Sequence, residues 1–233
     1  MKANSIRQKL SILLALILLM SITPMTGASA ATVTYRGMQT RLARKGYLSS
    51  SYITGSKNSA TTHAVRVFEM VNGLKADGVA DVKTVKKIFS ASARKRPSIN
   101  NAAWASSGIA RNLPRKRTAK IIDIRTGTVI RIRRVGGVNH LDVEPLTRTD
   151  TAKLKKVYGG TWSWDSRPIL LIANGHFYAA AMNGMPHGKQ LSKANGFNGQ
   201  FCIHLKGCKT HGTNRVNAAH QASIRYAYSY MTA

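Results

Sequence analysis

The sequence predicts an α+β protein, with a small three-helix N-terminal domain followed by a mainly antiparallel β domain that carries one or two helices. Apolar residues recur at helical spacing early in the chain, and glycine-containing turns separate β-branched runs later in it. Between these two regions lies a basic stretch without any sustained period. The predicted segments are therefore residues 1–30, 32–91, 92–118 and 119–233.

Residues 1–30 have the features of a secretory signal peptide. Three basic residues precede an apolar run at residues 10–22, and an A-x-A cleavage signal ends at Ala30. The run is shorter than the roughly 20 residues that a membrane-spanning helix requires. We therefore expect a secreted protein, extracellular or cell-wall associated, with no stable membrane insertion after signal cleavage.

The charge balance predicts a polyanionic partner. The chain has 36 Lys and Arg residues against 8 Asp and Glu residues, which gives a formal net charge of +28. Outside a cell, this charge favours anionic wall polymers and the carboxylates of a wall peptide. Nucleic acid would be attracted by the same electrostatics, but it is excluded by the predicted location.

Residues 32–91 are expected to form three helices. Apolar side chains recur at helical spacing around residues 38–42, 64–71 and 82–89. Gly73 and Gly78 follow the second run, where a helix is expected to stop. A domain of this size lies near the lower limit for independent folding.

The motifs of this segment resemble a known family. MQTRLARKGYL and THAVRVFEMVNGLKADGVADVKTVKKIF contain GYL, AV-x-x-F, NGL and DG-x-A. They resemble the peptidoglycan-binding domain found on many wall hydrolases and transpeptidases. That family usually has an Asp-Gly turn between its first two helices, where this chain has Thr54 and Gly55. The resemblance implies that peptidoglycan is the partner.

Residues 92–118 are interpreted as a basic linker, because they are rich in basic, Ser, Asn and Pro residues. Trp104 and Ile109 are the residues in it that are able to dock onto a neighbouring domain.

Residues 119–233 contain two hairpin signals. Thr-Gly at residues 126–127 and Asn-Gly at residues 174–175 each separate two β-rich runs. Asn-Gly suits a type I′ turn, because both central residues take positive φ. A helix capped by Thr147 or Thr149 is expected between the hairpins, and a last helix at residues 216–230.

The sequence around the two cysteines suggests a reactive centre. Residues 197–205 alternate in polarity, so that Cys202 and His204 share the polar face of a predicted strand. Neighbours two apart on a strand are roughly 6.5–7 Å apart, so His204 lies beside the thiol without being ideally placed as its base. Lys206, Lys209 and nearby imidazoles would favour a thiolate.

A second group of polar residues follows the same alternation. His140, Asp142 and Glu144 fall on one face of GGVNHLDVEPL. A carboxylate two residues from an imidazole is able to orient it. Because the chain has only 8 acidic residues, this pairing suggests a site, although the alternative is a loop whose acids offset nearby cations.

The C-terminal segment resembles an L,D-transpeptidase. That family sets a His-Gly about fifteen to twenty residues ahead of a Ser-His-Gly-Cys segment, and here His187 and Gly188 precede Cys202. The family's base lies two residues before the cysteine, where this chain has Gln200. The resemblance therefore implies that Cys202 is the nucleophile, that His187 is the second motif histidine and that the reaction needs no cofactor. The base is then His204, His140 or His211.

Three alternatives use the same residues. Cys202 and Cys208 are able to form a disulfide outside the cytoplasm. A zinc peptidase would place a metal-bound water in the site, although HExxH and paired CxxC motifs are missing from the sequence. A non-catalytic wall-binding domain is the third. The candidate zinc ligands are His140, Asp142, His187, His204 and His211.

Overall fold

The computed structural model describes residues 33–233, so the predicted signal peptide lies outside the described residues. The predicted N-terminal helices are confirmed. Each begins after a residue whose side chain accepts a hydrogen bond from a first-turn amide, namely Thr34, Asn58 and Asp81. The three helices are α1 (Tyr35–Arg44), α2 (Ser59–Asn72) and α3 (Val82–Phe89).

The rest of the chain forms a seven-stranded sheet with three further helices. Its strand order is β1-β6-β5-β2-β3-β4-β7, and β6 also pairs with β7. Strands β2 to β7 therefore close into an antiparallel barrel, while β1 adds to β6 in parallel. In chain order the elements are β1 (Ile99–Asn100), α4 (Ile109–Asn112), β2 (Thr118–Asp123), β3 (Val129–Gly136), β4 (Leu141–Pro145), α5 (Arg148–Val157), β5 (Arg167–Ala173), β6 (His176–Met182), β7 (Phe201–His204) and α6 (Ala218–Thr232).

Both predicted hairpins are present. Strands β2 and β3 pair across the 126–127 turn, and β5 and β6 pair across Asn174 and Gly175. The φ angles of Asn174 and Gly175 are 47° and 78°, as a turn with two left-handed residues requires. The predicted α+β class, with a mainly antiparallel β domain, is therefore confirmed.

The two predicted helices of the β domain are also present. Thr147 caps α5, and its hydroxyl accepts a hydrogen bond from the amide of Asp150. Asn217 caps α6 in the same way. The predicted strand at residues 197–205 is shorter than expected, because regular pairing is confined to β7.

The segment at residues 92–118 differs from a free linker. It contains β1 and α4, and Ile109 and Leu113 are fully buried among the apolar residues inside the barrel. Trp104 donates from its indole nitrogen to the carbonyl of Val138 at 2.8 Å. These apolar contacts hold the middle of the segment on the barrel in spite of its polar composition.

The three N-terminal helices, here called the helical module, share a hydrophobic core with the outer face of the barrel. Phe68 of α2 belongs to the same buried cluster as Phe177 of β6 and Met231 of α6. Arg66 Nη2 of α2 donates to the carbonyl of Arg125 at 2.7 Å, which joins the module to the barrel domain. Arg96, in the segment that follows the module, donates from Nε to the carbonyl of Met231 in α6 at 2.9 Å. The helical module and the barrel are thus one compact body.

Among residues 33–233, no helix combines the length and the apolar character needed to span a membrane.

Candidate active site

Strand pairing brings the two predicted polar groups together. Cys202 of β7 lies directly opposite Asp142 of β4 in an antiparallel pair. His140 immediately precedes β4 and is 1% exposed, so its ring is held against the end of the strand pair. The pairing of β4 with β7 therefore places His140, Asp142 and Cys202 in one cluster.

His187 is the histidine that contacts the thiol. Its Nε2 lies 3.3 Å from Cys202 Sγ, and its Nδ1 lies 2.9 Å from the carbonyl of Met185. A carbonyl oxygen can only accept, so Nδ1 carries the proton and Nε2 faces the sulfur. This is the orientation that a base requires to take the thiol proton.

The backbone around His187 is fixed by Gln200 and Gly199. His187 and Gln200 exchange two backbone hydrogen bonds, of 3.0 and 2.7 Å. Gly199 has a φ of +126°, and a Cβ there would lie 2.5 Å from the carbonyl oxygen of His187. Only glycine allows this close approach, which holds the His187 loop next to β7.

Trp164 covers the other side of the His187 ring. The two ring centroids are 4.8 Å apart, and Trp164 is 58% exposed. Sequence reasoning missed this residue, because nothing in the loop between α5 and β5 marks it as part of a site. The carbonyl of Ser163 accepts from the amide of Gly184 at 2.8 Å, which anchors that loop beside the centre.

Asp142 lies between two imidazoles. His211 Nε2 donates to Asp142 Oδ1 at 3.0 Å, and His140 Nε2 lies 3.3 Å from the same oxygen. His140 Nδ1 donates to the carbonyl of Lys209 at 2.7 Å, which leaves its Nε2 facing Asp142 and the thiol. His211 is half exposed, so it forms the solvent side of the cluster.

The cluster favours an ion pair of thiolate and imidazolium over the neutral thiol and imidazole. Burial alone would raise the pKa of Cys202, but the imidazoles of His140 and His187 outweigh it and lower that pKa below the value of an ordinary thiol. Burial alone would lower the pKa of His140, whereas Asp142 and Cys202 together raise it to about 10. The pKa of His187 is also raised, mainly by Cys202. The geometry thus favours the thiolate form of Cys202 beside the imidazolium of His140.

His204 does not reach the sulfur. Its ring is stacked between His140 and His220, with centroid distances of 4.5 and 3.9 Å. Burial and the neighbouring imidazoles lower its pKa to about 2, so it is neutral. Among the three base candidates left by the sequence, His140 adjoins the thiol, His211 acts on Asp142, and His204 supports the ring of His140 from behind.

Cys208 is separate from the cluster. Both cysteines are free thiols in the structure, so the disulfide considered from the sequence is not formed. Cys208 Sγ accepts from the amide of Leu205 at 3.2 Å, and burial raises its pKa to about 12. Cys208 therefore belongs to the core of the barrel and is a poor nucleophile.

The backbone amide of Cys202 is already engaged. It donates to the side-chain oxygen of Asn183 at 3.3 Å, and the amide of Asn183 donates to the carbonyl of Cys202 at 3.2 Å. The amide of Cys202 is therefore not free to donate to an oxyanion. The imidazolium of His140 is a charged donor beside the sulfur.

Four ligand atoms in the cluster are close enough to hold a metal ion. They belong to His140, Asp142, Cys202 and His211, and all lie within 4.8 Å of one another. Thiolate, imidazole and carboxylate are the ligands that zinc accepts. His187 and His204, both ligand candidates from the sequence, are not in this group, and Cys202, which was not a candidate ligand, is in it.

Comparison with known proteins identifies the helical module. Residues 35–88 match the model of a family of peptidoglycan-binding domains. This match supports an N-terminal peptidoglycan-binding domain and, with it, cell-wall binding with peptidoglycan as partner. Searches of curated proteins and of solved structures found no match to the chain.

Proposed function

We propose that this is a secreted, wall-associated enzyme that uses Cys202 for acyl transfer on the stem peptides of peptidoglycan. The observation that carries the proposal is the 3.3 Å contact between Cys202 Sγ and His187 Nε2, with His187 oriented by the carbonyl of Met185. A nucleophile, a base in contact with it and a third group that orients the base are the arrangement that nucleophilic catalysis requires. The resemblance of the C-terminal segment to L,D-transpeptidases supports the same chemistry.

The reaction follows from these roles. The sulfur of Cys202 attacks the carbonyl carbon of a stem-peptide bond, so that a C–S bond forms and the C–N bond breaks. The proton first held by the thiol passes through His187 to the leaving amine. An amine acceptor or water then attacks the thioester, its proton returns through His187, and the thiol is regenerated.

His140 and Asp142 support the charges of this cycle. His140 is protonated at neutral pH, because its pKa is about 10, and it lies beside the sulfur. Its positive charge stabilises the thiolate and the negative charge that develops on the attacked carbonyl. Asp142, held by both His140 and His211, keeps the His140 ring charged and in place.

The helical module supplies the localisation. Because it shares a core with the barrel, binding of the module to the wall also fixes the position of Cys202 relative to the polymer. Such tethering raises the local concentration of stem peptides at the thiol.

The proposal is tested by comparing thiol and metal dependence on soluble muropeptides. Cys202→Ser replaces an ionisable thiol with a hydroxyl of nearly the same size, and it should abolish turnover. Wild-type activity should survive a strong chelator and be lost after alkylation. Cys208→Ser is the matched control and should remain active. Full activity of Cys202→Ser in chelator would contradict both the thiol and the zinc mechanism, whereas a wild-type protein without turnover would be a wall-binding protein without catalysis.

A second candidate function is a zinc-dependent peptidase. It is favoured by the four ligand atoms within 4.8 Å at His140, Asp142, Cys202 and His211. The residues fit zinc chemically, and a bound ion would supply an activated water as nucleophile. In that case chelation abolishes turnover, added zinc restores it, and His211→Ala lowers the zinc content of the purified protein.

A further inference from the structure

A groove of about 770 Å³ lies between the helical module and the outer face of the barrel, away from the cysteine cluster. One wall is the end of α2 and the turn after it, residues 70–73, together with Lys87 and Arg94. The other wall is formed by residues of β2, β3 and β5. Since the helical module and the barrel share one core, the two walls are fixed relative to each other.

The groove is lined by cations without any acidic residue. Lys87, Arg94, Lys120 and Arg131 line it, and none of its lining residues is Asp or Glu. Arg131 lies 3.2 Å from Asp150, which stands outside the groove. Across residues 33–233, the side chains of Arg94 and Lys120 form no ion pair. This leaves positive charge in the groove that a bound anion would neutralise.

Strand pairing concentrates part of that charge. Lys120 of β2 is directly opposite Arg131 of β3 in the antiparallel pair, and both side chains are exposed. Directly opposed side chains have Cβ atoms about 4.5–5.5 Å apart, and like charges in that position destabilise a sheet. Asp150 offsets part of the charge of Arg131, and an anionic ligand that bridges Lys120 and Arg131 would remove the remaining repulsion.

The floor between the cations is apolar. Ile122, Val129 and Ile172 line it, and Val129 and Ile172 remain half-buried beside the shared core. A chain of sugar phosphates would match the cations but would leave this floor without apolar contacts. A peptide with free carboxylates and small aliphatic side chains matches both.

We propose that this basic groove is a second peptide-binding site, which holds a carboxylate-bearing stem peptide of peptidoglycan. Lys120 and Arg131 bind a carboxylate of the peptide, and its methyl groups lie against Val129 and Ile172. The inference rests on the wall-binding part of the proposed function and does not depend on the thiol chemistry. The site would orient the polymer on the barrel next to the helical module.

The test measures binding without turnover. A soluble stem tetrapeptide is titrated calorimetrically into the full mature chain carrying Cys202→Ser. The double variant Lys120→Gln and Arg131→Gln, in the same background, should weaken binding at one site by about tenfold. Ile172→Ser should weaken the same site by removing apolar contact while leaving the charge unchanged. Circular dichroism should show that all variants are folded.

The matched control removes two exposed cations elsewhere, with Lys156→Gln and Arg225→Gln, and should leave the affinity unchanged. Equal binding by the groove variant and the parent would overturn the proposal. An equal loss in the control pair would overturn it as well, because it would indicate attraction by net charge alone. Binding of a soluble phosphodiester polymer in place of the peptide, with the same dependence on Lys120 and Arg131, would assign the groove to that polymer instead. Failure of the thiol mechanism would leave each of these results unaffected.

Discussion

The charge state of Cys202 should depend on its two neighbouring imidazoles. We expect His140→Gln and His187→Gln each to raise the pKa of the thiol, because glutamine retains a polar side chain of similar reach without the positive charge. The imidazoles lower the pKa of Cys202 against the opposing effect of burial. Removing one of them therefore leaves a buried thiolate with less compensation.

The size of the expected pKa shift follows from the distances between the two imidazoles and the sulfur of Cys202. His187 Nε2 is 3.3 Å from Sγ, and the ligand atom of His140 lies within 4.8 Å of it. An opposite charge at such distances shifts a pKa by about 1–3 units. The larger shift is expected for His140→Gln, because that change also leaves Asp142 with only His211 to offset its negative charge near the sulfur. One unit corresponds to tenfold less thiolate, or about 1.4 kcal/mol.

The assay is the rate of alkylation of the full mature chain as a function of pH. Cys208 does not interfere, because burial raises its pKa to about 12. His176→Gln is the control, since His176 is an exposed residue at the start of β6. Turnover should show the corresponding profile, rising as Cys202 ionises and falling at alkaline pH as the imidazolium ions lose their protons. If the thiol pKa is the same in both variants as in the parent, the electrostatic account of the site is refuted.

Two further predictions concern the framework of the site. Gly199→Ala should destabilise the fold by about 1–3 kcal/mol and displace His187. The reason is that residue 199 has a φ of +126° and that a Cβ there would meet the His187 carbonyl. An unchanged melting temperature and alkylation rate would contradict this prediction. Stability should fall on acidification below about pH 6.5, because His204 and His220 have folded pKa values of about 2 and 4 and the unfolded chain then binds more protons. Each histidine should lower the free energy of unfolding by about 1.4 kcal/mol per pH unit in this range. Denaturant unfolding of His220→Gln should therefore show a weaker dependence on acid pH than the parent. An identical dependence would argue against buried neutral rings.

The elements of the fold were predictable where a local rule decides them. Asn174 and Gly175 define a turn by their φ preferences alone, and the cap of α5 is visible in the sequence as Thr147. The packing of residues 92–118 was not predictable in the same way. Ile109 is an isolated apolar residue in a polar stretch, and only the position of the barrel shows what it contacts.

The site was partly accessible from alternation within strands. Alternation placed His140 beside Asp142, and Cys202 on the polar face of its strand, but it could not give the pairing that sets Cys202 opposite Asp142. The role of His187 depends on a loop closed by Gln200 and on contact with Trp164, and both arise from long-range packing. The sequence therefore identified the groups that take part more readily than it identified which imidazole meets the thiol.

The most direct test of the thiol mechanism is intact-mass spectrometry of the protein after a brief incubation with a soluble muropeptide in chelator. We expect a covalent adduct whose mass equals the acyl part of the stem peptide, located on the peptide that contains Cys202 and released by a thiol or amine nucleophile. The adduct should be missing from Cys202→Ser and present in Cys208→Ser. Turnover by the wild-type protein without any adduct, or an adduct that persists in Cys202→Ser, would contradict the assignment of Cys202 as the nucleophile.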